Sequence, residues 1–193
     1  MLLRIAKYTD RRCCGLAWSI VVLCFSWAAS TPAVAQVVFQ PKNCDFRSVF
    51  VVAPDVKEVV MSDENGTKRT SVIANLSVTL GGKANFFRVE CTDVSLPPQL
   101  DQTLLLDDMK TIAQGNNIRN PVTWIEKSQS GDLVGRVRGQ VADSTTTYVM
   151  DIRRYFGPHN IFDVWVGSPP GTFTSEGNLV FLKELRLNGK PIF

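Results

Sequence analysis

LVGRVRGQVADSTTTYVMDIRRYFGPHNIFDVWV, the stretch from Leu133 to Val166, is three runs of alternating residues cut by two polar turns. Alternation at period two, with β-branched and aromatic residues and Gly, Pro, Asn, Asp and Ser at the breaks, predicts an antiparallel meander. The first run puts Leu133, Gly135, Val137, Gly139 and Val141 on one face and Arg136, Arg138 and Gln140 on the other, because successive strand side chains point to opposite sides. In the second run Tyr148, Met150 and Ile152 oppose Asp151, Arg153 and Tyr155, and in the third Phe162, Val164 and Val166 oppose Ile161, Asp163 and Trp165. The expected sheet therefore has one apolar face and one that carries charges and aromatic rings.

That second face is the candidate binding surface: Arg136, Arg138, Asp151, Arg153, Tyr155, Asp163 and Trp165, gathered by in-register pairing. Arginines beside aromatic rings recur at recognition surfaces and bind carboxylates or phosphates in a bidentate manner. The plainer alternative is a solvated sheet face with cross-strand ion pairs of about 0.2–1 kcal/mol each. Arg154 directly after Arg153 breaks the alternation and leaves the register open.

Outward from the meander, further strands are expected at Phe46–Val52, Val56–Met61, Thr70–Leu80, Asn85–Cys91 and Val122–Lys127. The Asn65-Gly66 pair suits a hairpin turn, since both residues accept positive φ at little cost. Val72, Ala74, Leu76, Val78 and Leu80 share a face, as do Phe87, Val89 and Cys91. Asp101 is placed to cap a helix with Leu105, Met109 and Ile112 at helical spacing, stopped at Gly115. A second helix is expected from Thr174 or Ser175 to about Leu187. Hairpins, helix, hairpins, helix is the order of an α+β domain, an antiparallel β-sheet flanked by helices as an α/β/α sandwich.

The chain has 193 residues, and its first 35 read as an address. Arg4, Lys7, Arg11 and Arg12 precede an apolar run, Leu16–Ala29, and the small-x-small site Ala33-Val34-Ala35. These are the three parts of a secretory signal peptide, cleaved before Gln36; an uncleaved anchor is the alternative. Such a leader touches the membrane only in transit and places the domain, residues 36–193, in a secreted or periplasmic setting. The whole chain carries 21 Lys and Arg against 18 Asp and Glu; without the four basic residues and the one acid of the leader, 17 of each remain. A neutral body gives no support for a nucleic-acid partner, which calls for clustered positive charge.

Of the five cysteines, Cys44 and Cys91 lie outside the leader. An even pair in an exported protein favours a disulfide, worth roughly 4 kcal/mol on the chain-entropy account; two buried thiols are the alternative. With one histidine, His159, and no C-x-x-C spacing, no metal site and no cofactor is expected. His159 sits in the turn Gly157-Pro158-His159-Asn160, where a solvated role is the simplest. No nucleophile elbow, P-loop or dinucleotide fingerprint occurs.

The Cys44-Asp45-Phe46 strand ahead of Ala53-Pro54, the mid-chain helix, the Tyr148–Val166 hairpin and the closing Phe181-Leu182-Lys183-Glu184-Leu185 helix resemble the PsbP-like family, whose fold is shared by a photosystem II extrinsic protein and a Ran-binding import factor. The resemblance implies an antiparallel sheet between helical layers in a non-enzymatic binding or assembly protein, and carries over no functional residues. Three functions are therefore in view: an exported binding protein for another protein or a small anionic ligand, a hydrolase using Asp151, Asp163 and His159, and a carrier with an apolar pocket between sheet and helix.

Overall fold

The computed structural model describes residues 36–62, 66–80, 82–94, 101–128, 131–142, 145–172, 181, 185–187 and 189–191. The predicted signal peptide lies outside them. Strands β1 (Val37–Phe39) and β2 (Phe46–Phe50) are followed by β3 (Asp55–Ser62), β4 (Lys68–Leu80) and β5 (Lys83–Asp93). Helix α1 (Gln102–Gly115) comes next, then β6 (Arg119–Lys127), β7 (Leu133–Ala142), β8 (Thr147–Phe156) and β9 (Asn160–Ser168), and finally the short β10 (Arg186–Leu187) and β11 (Lys190–Pro191).

Seven strands form one antiparallel sheet in the order β3-β4-β5-β9-β8-β7-β6, with each hairpin neighbour paired and β5 joined to β9 across the middle. The remaining four form a small sheet, β1-β2-β10-β11. This corrects the α/β/α expectation: the protein is mostly antiparallel sheet with one helix among the described residues. Of the expected second helix, residues 174–180 and 182–184 fall outside the described residues, Phe181 is helical, and the expected end, Arg186–Leu187, is strand β10. That end pairs antiparallel with β11, Leu187 opposite Lys190, and Gly189 takes φ 78°, a conformation that a hairpin turn uses and a helix does not.

The two faces of the large sheet are covered differently. On one, Phe39, Phe46 and Phe50 of the small sheet, with Phe181 and Leu185, pack on Ala74, Phe87, Val89, Phe162, Val164 and Val166. Phe46 stacks on Phe162 at 4.7 Å between ring centres. The alternation read in β4 and β5 holds here: Ala74 pairs with Val89, Leu76 with Phe87, Val72 with Cys91. Cys91 points to this face and is bonded to Cys44, in the loop between β1 and β2, across 47 residues of chain. The same loop is held by the buried Asn160. Its amide oxygen accepts from the Asp45 N–H at 2.9 Å, and its amide nitrogen donates to the Asn43 carbonyl at 2.9 Å and to Asp93 at 3.0 Å.

On the opposite face lies α1. Asp101 caps it by accepting from the Thr103 N–H at 3.0 Å, as its position in the sequence predicts. Leu105, Met109 and Ala113 are its buried stripe, and Met109, Ala113 and Ile118 meet Val137, Ile152 and Trp165 of the sheet. The helix and the chain that leaves it can come this close because β7 offers two glycines, Gly135 beneath α1 and Gly139 beneath Ile118, Arg119 and Pro121 just after it. A Cβ on Gly135 would stand 2.8 Å from Leu105 Cδ1 and from Met109 Cγ and Sδ; one on Gly139 would collide with Ile118 and lie 2.8 Å from the Arg119 carbonyl oxygen.

Candidate functional site

The register of β8 decides which charged residues meet. Arg136 of β7 stands opposite Arg153 of β8, Arg138 opposite Asp151, and Val134 opposite Tyr155. On the next strand Tyr155 faces Phe162, Arg153 faces Val164 and Asp151 faces Val166. Arg136, Arg138, Asp151, Arg153 and Tyr155 therefore share the face that carries the small sheet. Ile152 pairs with Trp165 and Arg154 with Asp163, which places Trp165 and Asp163 on the helix side. The seven expected site residues are thus split between two faces.

The first group centres on Asp151, which is only 1% exposed. Arg136 donates to it twice, from Nε at 3.2 Å and from Nη2 at 2.6 Å, and Arg153 Nε donates at 3.1 Å. Arg138 Nε lies 3.5 Å away. Strand β6 completes the group with residues the sequence reading passed over. Glu126 accepts from Arg136 Nη1 at 3.0 Å, and the Trp124 ring lies 4.8 Å from the Arg136 guanidinium carbon. The signal was present in Val122-Thr123-Trp124-Ile125-Glu126, where alternation puts Val122, Trp124 and Glu126 on one face. Burial works against the charge of Arg136, but hydrogen bonding to Asp151 and the fields of Asp151 and Glu126 outweigh it and hold the guanidinium above its ordinary pKa. Tyr155, packed against Phe46, has its phenol pushed up by burial, while contact with Arg153 pulls the other way.

The second group lies under α1. Arg154 donates to Asp163 at 2.7 and 2.6 Å and to Asp108 of the helix at 2.6 Å. These carboxylates hold Arg154 charged, well above its ordinary value, despite its burial. Beside it Arg88 bonds Glu90 at 2.6 Å and lies 5.2 Å from the centre of the Trp165 ring. Asp108 is therefore a sheet-to-helix tie, not merely part of a wet helix face.

His159 has 80% of its side chain exposed, with Nδ1 3.8 Å from Asp45. Asp151 and Asp163 point to opposite faces and each is engaged by arginine, so the arrangement brings no acid and base together around them. A cleft of about 440 Å³ lies beside the disulfide, lined by Lys42, Asn43, Glu58, Thr70 and Asp93 among others. It is polar at its rim and sits away from the sheet–helix contact, where an apolar carrier cavity was expected. Among the described residues no cluster of His, Cys, Asp and Glu is arranged to hold a metal ion, and no helix is long and apolar enough to cross a membrane. No protein-family model matches the chain, and no curated protein matches it.

Proposed function

We propose that this chain works outside the cytosol as a non-enzymatic binding or assembly protein, and that its contact surface is the arginine and tryptophan end of the large sheet. The observation that carries the reading is Arg138. Its side chain is 43% exposed beside Asp151, whose carboxylate already takes three hydrogen bonds from Arg136 and Arg153. Among the described residues this end of the sheet sets three arginines against the two carboxylates Asp151 and Glu126. Val122, directly across the strand pair from Arg138 and 62% exposed, adds an apolar flank. A cation with an apolar neighbour, held over a buried ionic base, suits an anionic group on a ligand or partner.

Three further features support the reading: the leader-like residues 1–35, the neutral remainder, and a disulfide consistent with an oxidising compartment. The likeness to PsbP-like proteins contributes through the order of hairpins, helix and hairpins alone. The experiment has two parts. The exported form should begin at Gln36 by N-terminal mass analysis, and the partners it captures from its own compartment should be lost with Arg138→Gln. Arg138 is the residue to change because it is exposed, whereas Arg136 and Arg153 hold Asp151 and their loss would disturb the fold itself. An unchanged set of partners for Arg138→Gln overturns the assignment of this surface.

A further inference from the structure

We infer that the partner presents an acidic segment in extended conformation, which adds to the outer edge of β6 as an eighth strand; this rests on the binding reading above and narrows it. β6 pairs with β7 only and ends the large sheet, so among the described strands its outer edge meets no neighbour. An edge of this kind presents alternate N–H and C=O groups to any chain that can run alongside.

The backbone features that blunt an edge are confined to its start, and Lys127 is the charged residue at its end. The register shifts between Arg119 and Val122, Asn120 takes φ 50°, and Pro121 lacks a donor. From Val122 to Lys127 the pairing with β7 is unbroken, six residues in register. That length is close to the usual strand of about five to six residues. The opposite edge, β3, differs in net charge: it carries two acids and one base, Asp55, Glu58 and Lys57, where β6 carries two bases and one acid.

Charge sets the chemistry of the occupant. Arg119 and Lys127 are exposed at the two ends of β6, and Arg136 and Arg138 stand one strand further in. Glu126 is the acid of this edge and is bonded to Arg136. A strand added at the usual spacing of about 4.8 Å would lie two strands from Arg138, with only Val122 between. A carboxylate in line with Val122 can be met by the Arg138 side chain, swung from its place 3.5 Å from Asp151. The residues two and four positions on share that face and lie in line with Trp124 and Glu126, where apolar side chains fit and a second acid would be repelled by Glu126. The preferred segment therefore carries one acid at the Val122 end and apolar residues at the next alternate positions.

The test is fluorescence anisotropy on the exported protein with a labelled Asp-Thr-Val-Thr-Val-Thr peptide (the Asp–Val peptide), the same peptide N-methylated at alternate backbone nitrogens, its Lys-for-Asp counterpart (the Lys–Val peptide), and succinate as a free dicarboxylate. The expected result is binding of the Asp–Val peptide, weakened by about tenfold or more by Arg138→Gln and equally by N-methylation. Binding that depends on Arg138 but tolerates N-methylation, or binding of succinate without the peptide, overturns strand addition and leaves the anion-binding reading standing. Equal binding of the Lys–Val peptide overturns the acidic character of the partner. If neither the Asp–Val peptide nor succinate binds, or if Arg138→Gln changes nothing, both the inference and the surface it rests on fail.

Discussion

Arg154 and Asp163 stand directly opposite each other on β8 and β9, and the guanidinium meets the carboxylate through two hydrogen bonds of 2.7 and 2.6 Å. A third, to Asp108 on α1, makes the same arginine the polar tie between sheet and helix. Asp163 is 5% exposed, so Arg154→Met strands a buried carboxylate and should lower stability by about 3–5 kcal/mol in denaturant unfolding. Asp108→Ala, at a half-exposed end of the tie, should cost at most about 1 kcal/mol. The double change Arg154→Met/Asp163→Leu should recover much of the loss. Equal costs for the two single changes would contradict this arrangement.

Asp151 makes the matching case on the other face. Asp151→Ala removes the one carboxylate that Arg136 and Arg153 share and leaves the buried Arg153 facing Arg136. The expected loss is again about 3–5 kcal/mol, with a lower denaturation midpoint at an unchanged slope. At the half-exposed Arg138, 3.5 Å from Asp151, Arg138→Gln should by contrast cost about 1 kcal/mol or less.

The two glycines of β7 that face α1 and the segment after it should differ. At Gly135 an added methyl meets the ends of Leu105 and Met109, which can turn aside; at Gly139 it also meets the Arg119 carbonyl oxygen, which is backbone. Gly139→Ala should therefore cost about 1–3 kcal/mol and Gly135→Ala less. Thermal unfolding of the pair, with wild type as reference, checks the order.

Reduction or Cys44→Ser/Cys91→Ser opens a loop of 47 residues that ties the β1–β2 loop to the centre of the large sheet. The expected loss is about 4 kcal/mol if chain entropy dominates. Hydrogen exchange should rise first in β1 and β2, with β7 and β8 protected longest.

Tyr155 gives a pH dependence. Its phenol is buried, and its folded pKa is raised above that of the unfolded chain. The folded state then holds the proton longer, so the contribution is fully present below about pH 10 and is lost as pH rises from there, by up to about 1.4 kcal/mol per pH unit. The difference in stability between wild type and Tyr155→Phe, measured from pH 8 to 11, should shift against the wild type only above that point. A constant difference across the range would show that the phenol is not sheltered.

Local sequence patterns mark most of the elements well, and the sides of the central strands poorly. Asp101 as a cap, the single face of Val72, Ala74 and Leu76, and the pairing of Cys44 with Cys91 all follow from signals within a few residues or from counting. Asp163 and Trp165 were misplaced because alternation tells inside from outside only where one face meets water. β8 and β9 are buried on both faces, under the small sheet on one side and α1 on the other, so polar residues there are paired in the interior and do not mark the surface. The side-by-side Arg153 and Arg154 record this directly, each arginine serving a carboxylate on its own face. The expected second helix runs to Leu187, up to an Asn188-Gly189 pair that is itself a hairpin signal, and so overlooks the strand at Arg186–Leu187.

Asn160 makes the Cys44 loop depend on an amide. Its nitrogen must donate to Asn43 and Asp93 while its oxygen accepts from Asp45, a set that no carboxylate can supply. An aspartate in its place would set a new negative charge against Asp93 and the Asn43 carbonyl, so Asn160→Asp should loosen the fold first around the Cys44 loop while the middle of the meander stays intact.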